Sequence, residues 1–145
     1  MGLRLPVGDV TVLLGPTVAR RRVMAALDDD SGRCGSGHSA VGVHRVAARA
    51  GDDVHRRIEA VEAAREATAT IVLVDRLTDG LSSPDRRAVL AALRSVATGG
   101  RAVLVDDADP VAALAVADGT LRIDPAGELS AGPVVDQGYL DYLAS

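Results

Sequence analysis

The sequence contains no lysine, phenylalanine or tryptophan, and all sixteen of its basic residues are arginine. Every chemistry that depends on a lysine side chain is therefore excluded. Tyr139 and Tyr142 are the only aromatic residues, so the core must be aliphatic. The aromatic platforms on which nucleic acid bases stack are missing as well.

Cysteine and long apolar runs are also scarce. Cys34 is the single cysteine, so the chain cannot form an internal disulfide, which suits a reducing compartment. No apolar run approaches the roughly twenty residues of a membrane helix, and the N-terminus lacks a charged segment followed by a long apolar one. The net charge of −4, with arginines scattered among acids, argues against a general attraction to nucleic acid or anionic lipid. These features predict a cytoplasmic protein.

What the chain does contain fits one folded domain. Its 145 residues, of which 48% are hydrophobic and 25% charged, exclude a disordered tail and suffice to bury an independent core. We take residues 1–145 as a single domain.

Short apolar runs alternate along the chain with segments of helical spacing. Val10–Leu14 ends at Gly15-Pro16 and predicts a buried strand, and residues 18–27 predict the helix that follows. Residues 28–42 are rich in Gly, Ser and Asp without periodicity, which predicts a mobile loop. The other predicted elements are helices at about 52–68, 83–97 and 109–116, strands at 71–74, 102–105 and 119–123, and an edge hairpin partner at 127–130.

Strands that are apolar throughout and alternate with helices indicate a three-layer α/β fold, with a mostly parallel sheet flanked by helices. Ligands of such sheets bind at the carboxyl ends of the strands. The candidate site therefore comprises residues 15–22, 75–80 and 106–110.

In order, these three segments resemble the motifs of the nucleotide-binding domain of ATP-binding cassette (ABC) proteins, the ATPases that drive ABC transporters. The stretch LRLPVGDVTVLLGPTVARRRVMAAL, residues 3–27, is similar to the family's strand, phosphate loop and first helix. Residues 69–124 are similar to its Walker B strand, D-loop, next helix and switch-histidine strand, and GELSAGP at 127–133 is similar to its closing turn. The resemblance implies a P-loop NTPase-like core that lacks most of the helical subdomain.

The family's phosphate loop, G-P-x-G-x-G-K-S-T, is degenerate at the matching positions. Its middle glycine falls on Val18. A valine disfavours the backbone conformations in which successive main-chain amides surround a phosphate, so we expect the phosphate-binding loop to be lost. The lost Ser/Thr hydroxyl would have held Mg²⁺. The candidate nucleotide-binding residues implied by the resemblance are Gly15, Pro16, Arg20, Arg21, Arg22 and Val23.

The positions that match the later motifs are eroded too. Asp75 stands at the Walker B aspartate, which organises the metal in the family, and is the candidate Mg²⁺ ligand. Arg76 replaces the glutamate that polarises the attacking water, and a cation cannot accept a proton. Ser82 replaces the D-loop aspartate and Ala108 the switch histidine. We therefore assign no catalytic residue.

The family's signature motif aligns with AGDDV at residues 50–54. The acidic residues Asp52 and Asp53 are poor partners for a γ-phosphate. In the family the missing helical subdomain contacts the transporter's membrane domain, so its absence puts ordinary coupling in doubt.

Two clusters leave alternatives open. Arg20–Arg22 could grip phosphate at a helix N-terminus, or could form a solvated helix face. Asp75 with Asp106-Asp107 could gather carboxylates for Mg²⁺, an arrangement that is also similar to the acidic strand end of response-regulator receivers. Receivers need a lysine that this chain lacks, and solvated strand-end carboxylates are the preferred interpretation.

Two further groups have a structural and a functional interpretation. A metal site could involve Cys34, His38, His44 and His55, although their spacing fits no compact zinc pattern and polar loop residues are the preferred interpretation. Ser82-Ser83 is interpreted as a helix cap rather than a nucleophile.

The resemblance implies a degenerate nucleotide-binding domain, a non-hydrolysing pseudo-ATPase that acts as a subunit or regulator of an ABC-type system. Because ABC domains work as sandwiched pairs, it implies a homodimer or a heterodimer with an intact ABC ATPase, formed through the surfaces around 15–22 and 79–83. A transporter membrane subunit is a further partner, which would place the chain at the membrane periphery.

The alternative function is that of a weak ATPase in which Arg21 replaces the lysine and Asp79 or Asp106 is the base. The third possibility is a chain that folds but has no function. Binding of ATP and Mg²⁺ stays open.

Overall fold

The computed structural model describes residues 5–31 and 42–133. In this part of the chain one six-stranded sheet is flanked by helices. The strands are β1 (Val10–Leu14), β2 (Val43–Ala47), β3 (Ile71–Asp75), β4 (Ala102–Asp106), β5 (Gly119–Ile123) and β6 (Leu129–Pro133). The helices are α1 (Thr17–Ser31), α2 (Val54–Glu66), α3 (Ser83–Thr98) and α4 (Pro110–Leu114).

The strand order across the sheet is β2-β3-β4-β1-β5-β6. Neighbouring strands from β2 to β5 are parallel, and β6 pairs antiparallel with β5. The predicted three-layer α/β fold is therefore confirmed. The order places β1 beside β4 and β4 beside β3, so the carboxyl ends of these three strands lie next to one another at one edge of the sheet.

The core lies on both faces of the sheet because side chains alternate along each strand. On one face, β-strand valines such as Val72 and Val103 pack with residues of α2, α3 and α4. On the other, Leu73 and Leu104 pack with Met24 of α1. Both clusters are aliphatic apart from the methionine, as the composition predicts.

Three elements differ from the prediction. Helix α1 runs to Ser31, four residues past the predicted end at Leu27, so the predicted loop at 28–42 begins later; residues 32–41 of it lie outside the described residues. Strand β2 was not predicted at all. Strand β6 begins at Leu129 rather than at 127, because Gly127 occupies the preceding turn with a φ of +87°.

Polar side chains begin three of the helices. Asp53 Oδ1 accepts a hydrogen bond from the amide of Arg56 at 2.9 Å, and this bond lowers the pKa of Asp53. Ser82 Oγ accepts from the amide of Asp85 at 3.4 Å, which confirms Ser82 as a helix cap. Asp109 Oδ1 caps α4 by accepting from Ala112 at 3.1 Å. These caps set where α2, α3 and α4 leave the sheet edge.

None of the helices in residues 5–31 and 42–133 combines the length and the apolar character needed to cross a bilayer.

Gly15 joins β1 to α1 at a place where β5 approaches closely. Its φ is +144°, and a Cβ built there would lie 3.0 Å from both the Cβ and the carbonyl oxygen of Ile123. A side chain at this position would therefore be strained in backbone conformation and would collide with β5.

We expect Gly15→Ala to lower the free energy of unfolding by about 2 kcal/mol more than Gly80→Ala does. Gly80 is the matched control because it also has a positive φ, +82°, but nothing lies within 4 Å of a Cβ built there. Urea denaturation of the two variants measures the difference. Equal losses would show that the close approach to Ile123 contributes nothing.

Candidate functional site

The structure brings together the three segments in which the sequence predicted a site. Asp75, the last residue of β3, is the register partner of Asp106, the last residue of β4. Gly15 follows the neighbouring strand β1. The predicted grouping of acidic strand ends beside the β1 turn is thus present, and the contacts of these residues decide what it can do.

The turn after β1 is short. The chain passes from Leu14 through Gly15 and Pro16 directly into α1, which begins at Thr17. The amide of Arg20 donates to the carbonyl oxygen of Pro16 at 2.9 Å, a helical bond. From Arg20 onward the main-chain amides are used by the helix itself. Residues 15–23 therefore form a tight turn followed directly by the first turns of α1.

The side chain of Arg20 occupies the space between this turn and the end of β4. Its Nε donates to the carbonyl oxygen of Gly15 at 3.0 Å, and its Nη2 donates to Thr17 Oγ1 at 3.1 Å. Its Nη1 donates to the carboxylate of Asp106 and, at 3.2 Å, to the carbonyl oxygen of Asp107. Only 15% of the Arg20 side chain and 2% of the Asp106 side chain are exposed. The guanidinium is largely buried and connects the turn after β1 and the start of α1 to the end of β4.

The other two arginines of the cluster take no part in these hydrogen bonds. Arg21 and Arg22 are exposed and make no ion pair with any residue that the structure describes. Arg22 and the half-buried Val23 line an open groove of about 490 Å³ between α1 and the turn at 123–127. The two interpretations of the cluster therefore divide: Arg20 belongs to the sheet edge, while Arg21 and Arg22 form a solvated helix face.

The candidate metal ligand Asp75 is held by two guanidinium groups. Arg45 Nη1 lies 2.5 Å from its Oδ2, and Arg76 Nε lies 3.5 Å from its Oδ1. Arg45 Nη2 also donates to the carbonyl oxygen of Met24 at 3.0 Å, which links β2 to α1. Sequence reasoning missed Arg45 because it did not recognise β2.

Arg76 has a left-handed backbone, with a φ of +49°, which is unusual for a residue other than glycine. Its amide donates to the carbonyl oxygen of Asp106 at 2.8 Å and so fixes the turn to β4. Its Nε is buried without a hydrogen-bond acceptor, since the 3.5 Å approach to Asp75 is a charge contact of poor hydrogen-bond geometry. At the position that the resemblance compares with the water-polarising glutamate, the chain thus has a cation.

Asp107 ties β4 to the turn after β3. It is 2% exposed, and its Oδ2 accepts from Thr78 Oγ1 at 2.7 Å while its Oδ1 accepts from the amide of Asp109 at 2.9 Å. Arg86 of α3 donates to the same Thr78 hydroxyl at 3.0 Å and lies 3.9 Å from Asp107 Oδ1. Asp106 and Asp107 are therefore buried, which corrects the expectation of solvated strand-end carboxylates, and these contacts give Asp107 a structural role.

Arg57 of α2 is turned inward, although it stands among residues of helical spacing that predict an outer face of acids and arginines. It is 7% exposed, and its guanidinium donates to three main-chain carbonyls: Nε to Asp52 at 3.0 Å, and Nη1 to Leu77 at 3.0 Å and to Asp79 at 2.5 Å. It therefore anchors the turn at 77–80 to α2. The helical spacing of Val54, Ile58 and Val61 gave no signal that an arginine between them turns inward.

Burial at the sheet edge raises the pKa of Asp106 above its ordinary value. The guanidinium of Arg20 lowers that pKa, and the neighbouring carboxylate of Asp75 raises it. The ionised form of Asp106 therefore depends on Arg20 for its stability.

These carboxylates do not fit a Mg²⁺ site. Asp75, Asp106 and Asp107 lie together as predicted, but arginine or threonine donors already engage each of them. No group of three or more His, Cys, Asp or Glu side chains suited to a metal occurs in the described residues. His44 lies in β2 and His55 in α2, whereas the Cys34 and His38 of the proposed metal site lie outside the described residues.

The bases named for a weak ATPase differ in position. Asp106 is buried against Arg20, and Asp79 is exposed at the end of its turn. Neither lies in a closed pocket formed by the turn after β1, because the side chain of Arg20 occupies that space.

No protein-family model and no curated protein matches this chain. Its fold is similar to that of a chain in the crystal structure of the complex of archaeal ribosomal stalk protein aP1 and archaeal ribosome recycling factor aABCE1, with a TM-score of 0.61. The two chains are 15% identical, and the match covers 97% of this chain and 37% of that one. This likeness shows the fold alone, and the present chain spans little more than a third of the length of that relative.

We expect Arg20→Met to lower the free energy of unfolding by about 3 kcal/mol at pH 8, because it leaves a buried carboxylate without its partner. The loss should shrink towards pH 4. The pKa of Asp106 is higher in the folded than in the unfolded chain, so its protonated form favours folding and its ionisation costs stability as the pH rises. Urea denaturation at several pH values measures the effect.

The double variant R20M/D106N is the control. Without the carboxylate, the part of the loss that depends on pH should vanish. A loss for Arg20→Met that is the same at pH 4 and pH 8 would contradict the buried ion pair.

Proposed function

We propose that this chain is a degenerate ABC-type nucleotide-binding domain, a non-hydrolysing pseudo-ATPase that acts as a subunit or regulator of an ABC-type system. Two features support the proposal. The family-like segments follow one another in the family's order, and the parallel sheet places their strand ends side by side. The contacts at those strand ends are those of a packed scaffold rather than of an open site.

The observation that carries the proposal is the position of Arg20. Its guanidinium bridges the carbonyl oxygen of Gly15 and the carboxylate of Asp106. A triphosphate wrapped by the turn after β1 would have to displace a buried ion pair that is bonded at four points. Breaking such a pair by removing one partner costs about 3–5 kcal/mol, which a weakly bound nucleotide does not repay.

A second argument concerns the metal and the attacking water. Asp75 is neutralised by Arg45 and Arg76, so a divalent cation would have to compete with two guanidinium groups for one carboxylate. Arg76 cannot accept a proton from water. The residues at the strand ends therefore support a role that does not need hydrolysis.

Such a role requires a partner. The surfaces around 15–22 and 79–83 offer exposed side chains, among them Val18, which is 64% exposed, Arg21, Arg22 and Asp79. We propose that this face pairs with an intact ABC ATPase or with a second copy of the chain. Attachment to a transporter's membrane subunit, and with it a cytoplasmic location at the membrane periphery, belongs to the same proposal.

We expect no saturable binding of Mg²⁺-ATP up to about 1 mM, the upper end of the usual range of KM values, and no release of phosphate. Isothermal titration calorimetry and a phosphate-release assay measure the two quantities. Saturable binding with a release that Asp75→Asn abolishes would establish the alternative, a weakly active ATPase in which Arg21 replaces the lysine. The Asp75→Asn control separates turnover by this chain from that of a contaminant.

For the partner, we expect affinity capture from the native host to recover an ABC-type ATPase or transporter component, and Val18→Asp to reduce that recovery at least about tenfold, because it places a charge in an apolar contact. Val7→Asp is the matched control, since Val7 is 61% exposed and precedes the amino end of β1. Light scattering after size exclusion distinguishes a homodimer. A monomer at high concentration that captures no such component would contradict the proposed partner.

A further inference from the structure

A pocket lined by three arginines and two aspartates lies at the carboxyl ends of β2 and β3, beside the first turn of α2. It has a volume of about 350 Å³. Residues 47–51 contribute three alanines, Arg49 and Gly51 to its wall, and Arg57, Arg76, Asp75 and Asp79 complete it. The small side chains leave the space open, and the three arginines determine its charge.

Arg57 contributes a buried charge without a carboxylate partner. The hydrogen bonds of its guanidinium that the structure describes all end on neutral carbonyl oxygens, those of Asp52, Leu77 and Asp79. Carbonyl dipoles satisfy the donors but leave the full positive charge, which burial makes costly. The charge therefore raises the positive potential of the pocket that it lines.

Arg76 adds a second guanidinium. Its side chain is 42% exposed. The hydrogen bond that its main-chain amide donates to the carbonyl oxygen of Asp106 holds the residue in its left-handed backbone conformation. Its buried Nε has no hydrogen-bond acceptor. That Nε is buried beside Asp75 and is out of reach of a ligand, so an acceptor in the pocket would bind the exposed terminal nitrogens of the guanidinium.

Arg49 adds a third. It is exposed, and its guanidinium has no ion pair with any residue in the described part of the chain. Asp52 and Asp53 keep their negative charges nearby, but neither pairs with the Arg49 guanidinium: Asp52 Oδ2 accepts from the amide of Arg49 at 2.9 Å, and Asp53 caps α2. Of the two acids that line the pocket, Asp75 is paired with Arg45 and Arg76, which leaves Asp79 to offset the charges of Arg49 and Arg57.

We propose that this pocket binds a phosphate-type oxyanion between Arg49 and Arg76, with the buried charge of Arg57 behind it. Planar guanidinium groups bind phosphate oxygens through paired hydrogen bonds, and a pocket of this volume admits a small phosphorylated molecule. The site shares Asp75 and Arg76 with the strand ends of the pseudo-ATPase proposal but is separate from the turn after β1. It does not depend on that proposal, and no nucleotide or metal is required.

The test uses inorganic phosphate without Mg²⁺, titrated into the isotope-labelled chain at constant ionic strength kept with sodium chloride. We expect saturable changes in the amide resonances of Arg49, Gly51 and Arg76 in heteronuclear NMR spectra, and an accompanying rise in Tm. The map of shifted resonances comes from the unaltered chain, so it does not depend on whether a variant folds.

The variant R49Q/R76N should weaken phosphate binding at least about tenfold, since it removes the two guanidinium groups between which the oxyanion is proposed to bind. Asparagine is chosen at position 76 because it tolerates a positive φ. The control R21Q/R22Q removes the same charge from exposed arginines outside the pocket and should change the affinity less than about twofold.

Three results would overturn the proposal: no saturable shift, shifts centred on residues 17–20 instead of 49–51 and 76, or equal weakening by both variants. None of these would bear on the absence of ATP hydrolysis. Conversely, Mg²⁺-dependent turnover that Asp75→Asn abolishes would contradict the pseudo-ATPase proposal and leave the phosphate titration unaffected.

Discussion

The structure of the sheet edge depends on one buried ion pair, between Arg20 of α1 and Asp106 of β4. A carboxylate at the end of a central parallel strand is removed from water, and burial raises its pKa. It stays ionised at low cost only if a cation with suitable donors reaches it. Arg20 does so, and its remaining donors bind the carbonyl oxygen of Gly15 and the hydroxyl of Thr17. The same bonds that neutralise the acid thereby close the turn after β1, and the space where a ligand of a parallel sheet would enter becomes part of the packed fold.

Other arginines bind the acids and carbonyl oxygens at the carboxyl ends of the strands in the same way. Arg45 of β2 neutralises Asp75, and Arg57 satisfies the carbonyl oxygens of the turn at 77–80. A guanidinium carries five donors in a rigid plane, so one side chain can bind a carboxylate and several carbonyls at once, which an ammonium group does less well. In a chain without lysine, the arginines at the strand ends act as structural ties. This explains how the acids are accommodated at these positions although they are removed from water.

Sequence patterns predicted the strands that are buried on both faces and the helices that carry clear caps. β1, β3 and β4 are almost entirely apolar, β5 (GTLRI) has the buried aliphatic residues Leu121 and Ile123, and α3 follows a serine cap and has a proline in its first turn. Strand β2 escaped prediction because VHRVA contains His44 and Arg45, and an edge strand has only one neighbour to supply its hydrogen bonds. Without β2, the partner of Asp75 could not be found. The inward turn of Arg57 gave no sequence signal either, since two of its three acceptors are carbonyl oxygens 20 and 22 residues away.

The sequence by itself determined the class of fold, the aliphatic core and the grouping of acids beside a glycine turn, because each follows from local composition and from the alternation of short apolar runs with helices. Only the tertiary structure decided what those acids do. Which arginine reaches which carboxylate depends on strand order and on the path of α1 and α2 across the sheet. Those are long-range properties: Arg20 and Asp106 are 86 residues apart in sequence, and their contact exists only because β1 and β4 are neighbours.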